Sequence, residues 1–222
     1  MSPQPSKPFR MTLLGPPASG KGTQGRSLAD RLGLDYLSTG ALLREHVENR
    51  TALGVEAEPI LARGQYLPDE LMFPILTDWL SRQTGGWVLD GFPRSVPQAR
   101  FLAEWLENQG QALDAAIALE VPFEVLLKRM QGRVECPDCR WTGQTSQLAE
   151  ERACPRCGAT AQRRSDDEEA NFRSRYLEFQ NLTLPVIDFY RNQGNLLVCD
   201  ANAPQDDVTR SLVDHFTQSL PA

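Results

Sequence analysis

Short apolar runs alternate with amphipathic stretches along most of the chain. The first run, FRMTLL at 9–14, precedes a loop rich in Gly and Pro and then KGTQGRSLADRLG, where Leu28, Ala29 and Leu32 fall at helical spacing. The same order recurs downstream, with apolar runs at 87–90, 115–121 and 195–200, each ahead of a stretch with helical spacing. Alternating strands and helices predict an α/β fold in which a parallel sheet carries helices on both faces.

Two segments interrupt this alternation. Residues 38–67 have the pattern of short helices without a strand, and residues 134–163 carry the paired cysteines. Each segment is predicted to be an insert that projects from the α/β core. The opening residues are rich in Pro and Ser and are predicted to form a loose leader.

Length, composition and charge narrow the possible functions. The chain has 222 residues, of which 41% are hydrophobic and 23% charged, as in a globular protein that buries an apolar core. The net charge of −6 and the sequence pI of about 5.1 argue against a protein whose whole surface binds DNA or RNA. The sequence has no apolar run of signal-peptide length at its start, and no run of about 18 or more apolar residues. A cytoplasmic protein without a membrane span is therefore expected.

A Gly-rich loop follows the first predicted strand. GPPASGKGT fits the pattern G-x-x-x-x-G-K, with Gly15, Gly20 and Lys21 between a strand and a helix. In that setting successive backbone N–H groups and the helix N-terminus point at one spot, where they stabilise a polyphosphate, and the lysine adds a mobile cation. The residue after the lysine is Gly22 rather than Ser or Thr, and Thr23 follows it. The loop predicts a nucleotide-binding protein from one branch of the P-loop class.

The cysteines of the second insert form two C-x-x-C pairs separated by fourteen residues, Cys136 with Cys139 and Cys154 with Cys157. Two such pairs facing each other complete a tetrahedron of thiolates without a vacant position, which is typical of a structural zinc site. Iron in the same site, free thiols and disulfides are the alternatives. A segment of roughly 30 residues buries too little apolar surface to fold alone, so a metal is expected to supply the missing free energy.

The other residues that often bind metals or carry out catalysis receive no such role. Cys199 lies in the apolar LLVCD and is predicted to be a buried small side chain. His46 and His215 are far from the paired cysteines in sequence and are expected to pack on helices.

Five motifs in this order resemble those of the adenylate kinases, of the long form with a lid insert: GPPASGKGTQ, STGALLR, GQYLPDEL, DGFPRSVPQA and RRSDDEEANFRSR. The resemblance covers nearly the whole chain after the leader. It implies the P-loop nucleoside monophosphate kinase fold and the reversible, magnesium-dependent transfer of the γ-phosphoryl group of ATP to AMP, giving two ADP. The implied parts are a leader at 1–8, a core at 9–37, 68–129 and 168–222, an AMP-binding insert at 38–67 and a zinc-holding lid at 130–167.

The resemblance also implies the residues of each site. For ATP they are Ala18, Ser19, Gly20, Lys21, Gly22, Thr23, Arg129, Arg133, Thr142 and Ala203. For AMP they are Thr39, Arg44, Gln65, Tyr66, Leu67, Gly91, Phe92, Pro93, Arg94, Gln98, Arg164 and Arg175. The implied catalytic cations are Lys21, Arg94, Arg133, Arg164 and Arg175. Cations suit this reaction because its negative charge spreads over the phosphoryl oxygens. Asp90 and Asp167 match carboxylates near the magnesium water shell and the lid hinge.

Particular roles and departures follow from the same comparison of motifs. Leu67 is expected to contribute its backbone to the AMP site, and Gln98 an amide that reads the adenine. The chain departs from the family pattern at Ala18, where a second loop glycine is usual, at Ala41, where an acid is frequent, and at Gln65, where a lysine is frequent. These departures leave the preference for AMP slightly open.

Two alternatives stay open. A kinase that prefers a nucleoside monophosphate with another base would need the same phosphate chemistry. A zinc-ribbon protein that binds nucleic acid belongs to a different class, but Trp141 is the only aromatic residue between Arg133 and Arg164, too few for a platform that stacks bases. The expected partners are ATP, AMP and ADP, with structural zinc and with magnesium bound to ATP. No nucleic acid and no membrane are expected, and the chain is expected to be a monomer.

Overall fold

A five-stranded parallel sheet lies at the centre of the computed structural model, which describes residues 9–148, 152–164 and 167–218. The strands, numbered in chain order, are β1 Arg10–Leu14, β2 Asp35–Ser38, β3 Trp87–Asp90, β4 Ala115–Glu120, β5 Arg133–Glu135, β6 Thr142–Gln144 and β7 Leu196–Asp200. The main sheet has the order β2-β3-β1-β4-β7, and each neighbouring pair in it is parallel. The carboxyl ends of its strands therefore meet at one edge, where sheets of this kind bind their ligands.

Helices connect these strands. They are α1 Lys21–Leu32, α2 Thr39–Glu48, α3 Ala52–Ala62, α4 Asp69–Ser81, α5 Val96–Asn108, α6 Phe123–Gln131, α7 Glu169–Glu178, α8 Leu184–Gln193 and α9 Gln205–Gln218. A π-helical segment, Phe179–Thr183, joins α7 to α8, and a short 3₁₀ turn covers Thr145–Gln147. The side-chain oxygens of Ser38, Thr51 and Ser95 accept hydrogen bonds from N–H groups in the first turns of α2, α3 and α5. These caps explain why the three helices begin where they do.

Both faces of the central sheet are buried, and the side chains of its strands alternate between them. Met11 and Leu13 of β1 pack with α1 and α9, whereas Leu14 packs on the other face with α5 and α8. In β4, Ile117 and Ala118 divide between the same two clusters. Burial on both faces is why these strands are continuous apolar runs in the sequence. The predicted α/β fold with a parallel sheet flanked by helices is confirmed.

The strands predicted from apolar runs are confirmed at β1, β3, β4 and β7. Strand β2 was not predicted, because Asp35–Ser38 is short and only Tyr36 and Leu37 in it are apolar or aromatic. Its extended conformation depends on pairing with β3, a contact with residues far along the chain. The predicted leader lies outside the described residues.

The prediction that Cys199 is buried was wrong. This residue lies on β7, at the edge of the main sheet, and is half-buried against the cluster that includes α1 and α9. Val198, which points to the opposite face, is 45% exposed. An edge strand has a neighbour on one side, and the flanking helices cover β7 only in part. An apolar run in the sequence therefore did not reveal how deeply this strand is buried.

The two interrupting segments differ in structure. Segment 38–67 contains α2 and α3, and Leu43 and Ala57 from these helices are buried in one cluster. In the cysteine segment, β5 and β6 form a separate two-stranded antiparallel sheet. Glu135 at the end of β5 also pairs with Gln162 in an antiparallel bridge. The boundaries between core and inserts stay a prediction.

Gly54 in α3 lets two helices approach closely, so Gly54→Ala is expected to destabilise this segment. A Cβ on Gly54 would overlap the carbonyl oxygen of His46 in α2 and lie 2.7 Å from the nitrogen of Val47. Because backbone atoms cannot move aside like a flexible side chain, we expect the free energy of unfolding to fall by about 1–3 kcal/mol. Urea unfolding followed by circular dichroism measures this difference.

Gly85→Ala is the matched control for this experiment. A Cβ at Gly85 meets nothing within 4 Å, and Gly85 is not among the glycines with positive φ. Its free energy of unfolding is expected to stay within about 0.5 kcal/mol of the unchanged protein. Equal losses in the two variants would contradict the close approach of α2 and α3.

Candidate active site

The Gly-rich loop lies at the carboxyl end of β1 and leads into α1. Gly15 has φ 151°, and a Cβ there would lie 2.8 Å from the Ser19 hydroxyl and 3.0 Å from the carbonyl oxygen of Leu119. Gly20 caps α1 with φ 97°. Both positions therefore need glycine. Ala18 has φ 63°, a left-handed conformation that costs an L-residue roughly 1–2 kcal/mol. Ala18, which departs from the family pattern, thus has a conformation that glycine would adopt without strain.

Lys21 is half-buried at the start of α1 and folds back on the loop. Its Nζ donates hydrogen bonds to the carbonyl oxygens of Gly15, at 2.7 Å, and Pro16, at 2.9 Å. Burial lowers the pKa of Lys21 to about 8. Asp90 opposes this shift, whereas positive charges nearby lower the pKa further, those of Arg94, Arg133 and Arg175. The loop therefore holds its cation in a region where other cations also converge.

This lowered pKa predicts a pH dependence for the activity that the family resemblance implies. A lysine with a pKa of about 8 loses its proton as the pH rises through that value, and a neutral amine binds phosphate poorly. We expect kcat/KM for ATP, which reports the free enzyme, to fall by about tenfold per pH unit above pH 8. At saturating ATP the nearby phosphates favour the charged amine, so kcat is expected to stay constant to higher pH.

Lys21→Arg is the control for the pH profile. The guanidinium stays charged throughout this range. This variant is therefore expected to be less active than the unchanged protein. Its kcat/KM should not show the fall between pH 7 and pH 9 that the titration of Lys21 causes. The same decline in both proteins would assign the titration to another group.

Asp90 lies at the carboxyl end of β3 and is tied to β2 and α2. Its Oδ2 accepts a hydrogen bond of 2.9 Å from the hydroxyl of Tyr36. The Thr39 hydroxyl lies 3.1 Å from the carbonyl oxygen of Asp90 and 3.0 Å from that of Gly91. Burial, and then the charge of Asp90, raise the pKa of Tyr36 well above its ordinary value, so that the phenol keeps its proton. Sequence reasoning missed Tyr36, because β2, which places it at this edge, was not predicted.

Arg94 follows β3 and is held on several sides. Its Nε donates to the carbonyl oxygen of Gly91 at 2.6 Å, and its guanidinium lies 4.5 Å from the ring centre of Tyr66. Thr183, in the π-helical segment, donates its hydroxyl proton to the carbonyl oxygen of Arg94 at 2.9 Å. Such helix irregularities occur often at functional sites, but no local sequence signal pointed to Thr183.

Gln98 faces the protein interior rather than the cavity. Its Oε1 accepts from the backbone N–H of Arg94 at 2.7 Å, and its Nε2 donates to Oδ1 of Asp69 at 2.7 Å. The amide that was expected to read adenine is thus bonded to protein groups at both ends. It positions the loop that carries Arg94.

Arginines that flank the cysteine segment are bound by carboxylates or by a carbonyl oxygen. Arg133 forms a two-pronged ion pair with Asp167, through Nε and Oδ2 at 2.7 Å and through a second, closer contact between Nη2 and Oδ1. Arg164 Nε lies 3.6 Å from Oε2 of Glu135. Arg129 donates to the carbonyl oxygen of Ala201 at 2.8 Å, beside α9. Groups of the protein itself therefore hold these guanidiniums in place.

A cavity of about 1140 Å³ brings most of the expected site residues together. Its lining includes Ala18, Ser19, Gly20, Lys21, Gly22, Thr23, Arg44, Gln65, Tyr66, Asp90, Gly91, Pro93, Arg94, Arg129, Arg133, Thr142, Arg164, Arg175 and Ala203. Other expected residues are buried and do not line the cavity, namely Thr39, Leu67, Phe92, Gln98 and Asp167. The cavity spans the phosphate loop, α2 and the cysteine segment, so that it can hold two substrates between three parts of the chain.

The paired cysteines converge on one point, and none of them lines this cavity. The Sγ atoms of Cys136 and Cys157 are 3.5 Å apart, those of Cys139 and Cys154 are 3.6 Å apart, and all four lie within 4.8 Å of one another. A tetrahedral zinc site with Zn–S bonds of about 2.3 Å has S···S edges of about 3.8 Å, whereas a disulfide needs about 2.05 Å. The backbone N–H of Arg156 also points at Sγ of Cys154, at 3.4 Å. The four cysteines therefore form a cluster that could hold a metal ion.

A Gly-rich phosphate loop beside a parallel sheet, with convergent arginines over a cavity for two ligands, defines a P-loop kinase that acts on nucleotides. A family model described as "Adenylate kinase" matches residues 13–195. An "Adenylate kinase" of Clostridium perfringens is 36% identical over 209 residues, covering 92% of this chain and 96% of that protein. An "Adenylate kinase" of Kosmotoga olearia is 38% identical over 208 residues, covering 92% and 97%. The chain belongs to the adenylate kinase family and is a phosphotransferase.

The length and apolar character of a helix decide whether it could cross a membrane. None of the helices in the described ranges combines the length and the apolar character needed to cross a bilayer.

Proposed function

We propose that this adenylate kinase transfers the γ-phosphoryl group of ATP to AMP, reversibly and with magnesium, in the cavity between the phosphate loop and the arginines. One observation carries the assignment of the site. Lys21 is half-buried where the charges of Asp90 and of three arginines act on it, those of Arg94, Arg133 and Arg175, and the four cations line the same cavity. Without a polyanion between them these cations repel one another, and a pair of nucleotides joined at a transferring phosphoryl group supplies that polyanion.

The ATP side of the site is built on the phosphate loop. Backbone N–H groups from Ala18 to Thr23 are proposed to hold the β- and γ-phosphates, with Lys21 as their mobile cation. When bound with ATP, magnesium would neutralise phosphate charge. The hydroxyl of Thr23 and the carboxylate of Asp90 are the proposed neighbours of its water shell. Arg129, Thr142 and Ala203 are proposed to lie along the rest of ATP, with Arg129 beside its base.

The AMP side is built on segment 38–67 and the loop after β3. Arg44, Arg94 and Arg164 are proposed to bind the AMP phosphate, since a guanidinium offers two parallel donors to phosphate oxygens. The base is proposed to lie along 65–67, with the backbone of Leu67 and the amide of Gln98 as its readers. For that role Gln98 has to exchange its bond with Asp69 for one with the adenine.

The transfer step needs alignment and positive charge rather than a covalent intermediate. In phosphoryl transfer the negative charge spreads over the equatorial oxygens, and preorganised cations stabilise it. Arg94, Arg133, Arg164 and Arg175 are proposed to surround the transferring group, together with Lys21. Asp167 keeps Arg133 oriented for this step through their two-pronged ion pair.

The metal of the cysteine cluster is proposed to be zinc with a structural role. Four thiolates close the coordination sphere, which leaves no position for a substrate or a reactive water. When bound, the metal supplies folding free energy to the segment that ends in Arg133 and Arg164, so that this segment moves as one rigid lid. The enzyme is proposed to act as a monomer, as the resemblance to the family implies. The cytoplasmic location stays a prediction.

An activity assay tests this assignment and its alternatives. The purified protein is supplied with ATP, magnesium and, in turn, AMP, GMP, CMP or UMP, and the metal content of the same sample is measured. The highest kcat/KM is expected with AMP, together with stoichiometric zinc. Faster turnover of another monophosphate would identify a kinase for that base. Tight, salt-sensitive binding of nucleic acid without phosphoryl transfer would instead favour the zinc-ribbon alternative.

A further inference from the structure

Glu135 places a carboxylate among the arginines of the cavity. Its Oε2 lies 3.6 Å from Nε of Arg164 and 3.9 Å from Nη2 of Arg44. The side chain of Glu135 is 13% exposed, and those of Arg164 and Arg44 are 13% and 26% exposed. The three groups are therefore close, partly shielded from water, and face the cavity that all of them line.

The backbone of Glu135 is fixed within the cysteine segment. Its N–H donates to the carbonyl oxygen of Gln162 at 2.8 Å, and the N–H of Gln162 returns a bond of 2.9 Å. Glu135 also pairs with Thr142 across the β5–β6 sheet. With its backbone held on both sides, Glu135 leaves the arginines chiefly when the whole segment moves.

Arg44 belongs to a different part of the chain, in α2, so its ion pair with Glu135 crosses the cavity. A second ion pair also joins the cysteine segment to α2, because Nη2 of Arg140 lies 3.1 Å from Oε2 of Glu48 at the end of α2. Arg140 directly follows Cys139 and has φ 57°. The cysteine segment and α2 are thus joined by two separate charge contacts, which supports the approach of Glu135 to Arg44.

We propose that Glu135 is an affinity-setting residue, an internal anion that the AMP phosphate must displace from Arg44 and Arg164. The inference rests on the proposed function, which assigns these two arginines to phosphate. A carboxylate and a phosphate use the same donors of a guanidinium, and two anions at one guanidinium repel each other. In the absence of AMP, Glu135 keeps the arginines ordered. AMP binding separates the carboxylate from Arg44, and the loss of these contacts lowers the measured affinity.

Glu135→Gln tests the proposal, with AMP alone as the probe in isothermal titration calorimetry. The amide keeps the shape of the side chain and removes its charge. We expect AMP to bind about 3- to 10-fold more tightly than to the unchanged protein, the range for losing two partly exposed ion pairs. Glu169→Gln is the charge-matched control, since Glu169 pairs with Arg173 at an exposed position outside the cavity. Its Kd for AMP is expected to be unchanged.

An equal or weaker affinity of Glu135→Gln for AMP would overturn the proposal, and so would an equal gain in Glu169→Gln. Metal content and melting temperature show whether the variant folds. If it does not, Glu135→Thr, which suits a strand, replaces it with the same expected sign. The proposed function is judged separately on the unchanged protein, which has to convert ATP and AMP to ADP. A failure there is distinguishable from a failure of Glu135 alone.

Discussion

Arg94→Ala is expected to lower kcat by three to five orders of magnitude, the range about 10³- to 10⁵-fold that a single arginine contributes in other phosphoryl-transfer sites. Arg94 lies where the loop after β3 meets the cavity, and its guanidinium is fixed by Gly91 and Tyr66. An arginine fixed in advance stabilises developing charge without reorganising during the reaction. Steady-state kinetics with ATP and AMP measure the loss, with circular dichroism to confirm that the variant is folded.

Two further variants separate the charge of Arg94 from its geometry. Arg94→Lys keeps a positive charge but lacks the planar fork, so its kcat is expected to lie between those of Arg94→Ala and the unchanged enzyme. Arg100→Ala removes an exposed arginine from α5, the helix that follows Arg94, and should leave kcat unaltered. Near-normal turnover of Arg94→Ala would refute the assigned role.

Replacement of Cys136 and Cys139 by serine is expected to abolish metal binding and to lower the melting temperature. Loss of a structural metal belongs to the changes that cost more than about 3 kcal/mol. A loss of this size lowers the melting temperature of a domain of this length by roughly 6–12 °C. Elemental analysis measures the metal, and calorimetry the transition. Activity is expected to fall as well, because Arg133 and Arg164 flank the disrupted segment.

Cys199→Ser is the control for that experiment. Cys199 lies on β7 and is not part of the cysteine cluster, so this variant should keep its full metal content. Its melting temperature should change little because the side chain is only half-buried. Unchanged metal content in the Cys136 and Cys139 variant would rule out the assigned ligands.

Features that depend on short stretches of the chain could be predicted from the sequence. The central strands are continuous apolar runs because both of their faces are buried, and the phosphate loop keeps its glycines where the backbone needs positive φ at Gly15 and Gly20. The clustering of the four cysteines could also be predicted, because two C-x-x-C pairs at this spacing are typical of a metal site.

Features that depend on contacts between distant residues could not be predicted. The extended conformation of β2 comes from its pairing with β3, and the half-exposure of Cys199 comes from the position of β7 at the edge of the sheet. The inward orientation of Gln98 depends on Asp69, and the approach of Glu135 to Arg44 joins two inserts. In each case the partner is far away in the sequence, and no local pattern identifies it.

The bridge between Glu135 and Gln162 makes the chain between these two residues tolerant of changes in length during evolution. Residues 136–161 lie between the two partners of this bridge, so both ends of that stretch meet at one place. Arg133 and Arg164 lie outside that closed excursion, and their separation does not depend on its length. We therefore expect insertions, deletions or even exchange of the whole excursion for a tight turn to leave both guanidiniums in register. The part of the chain that carries the cysteine cluster is thus expected to vary without moving Arg133 and Arg164.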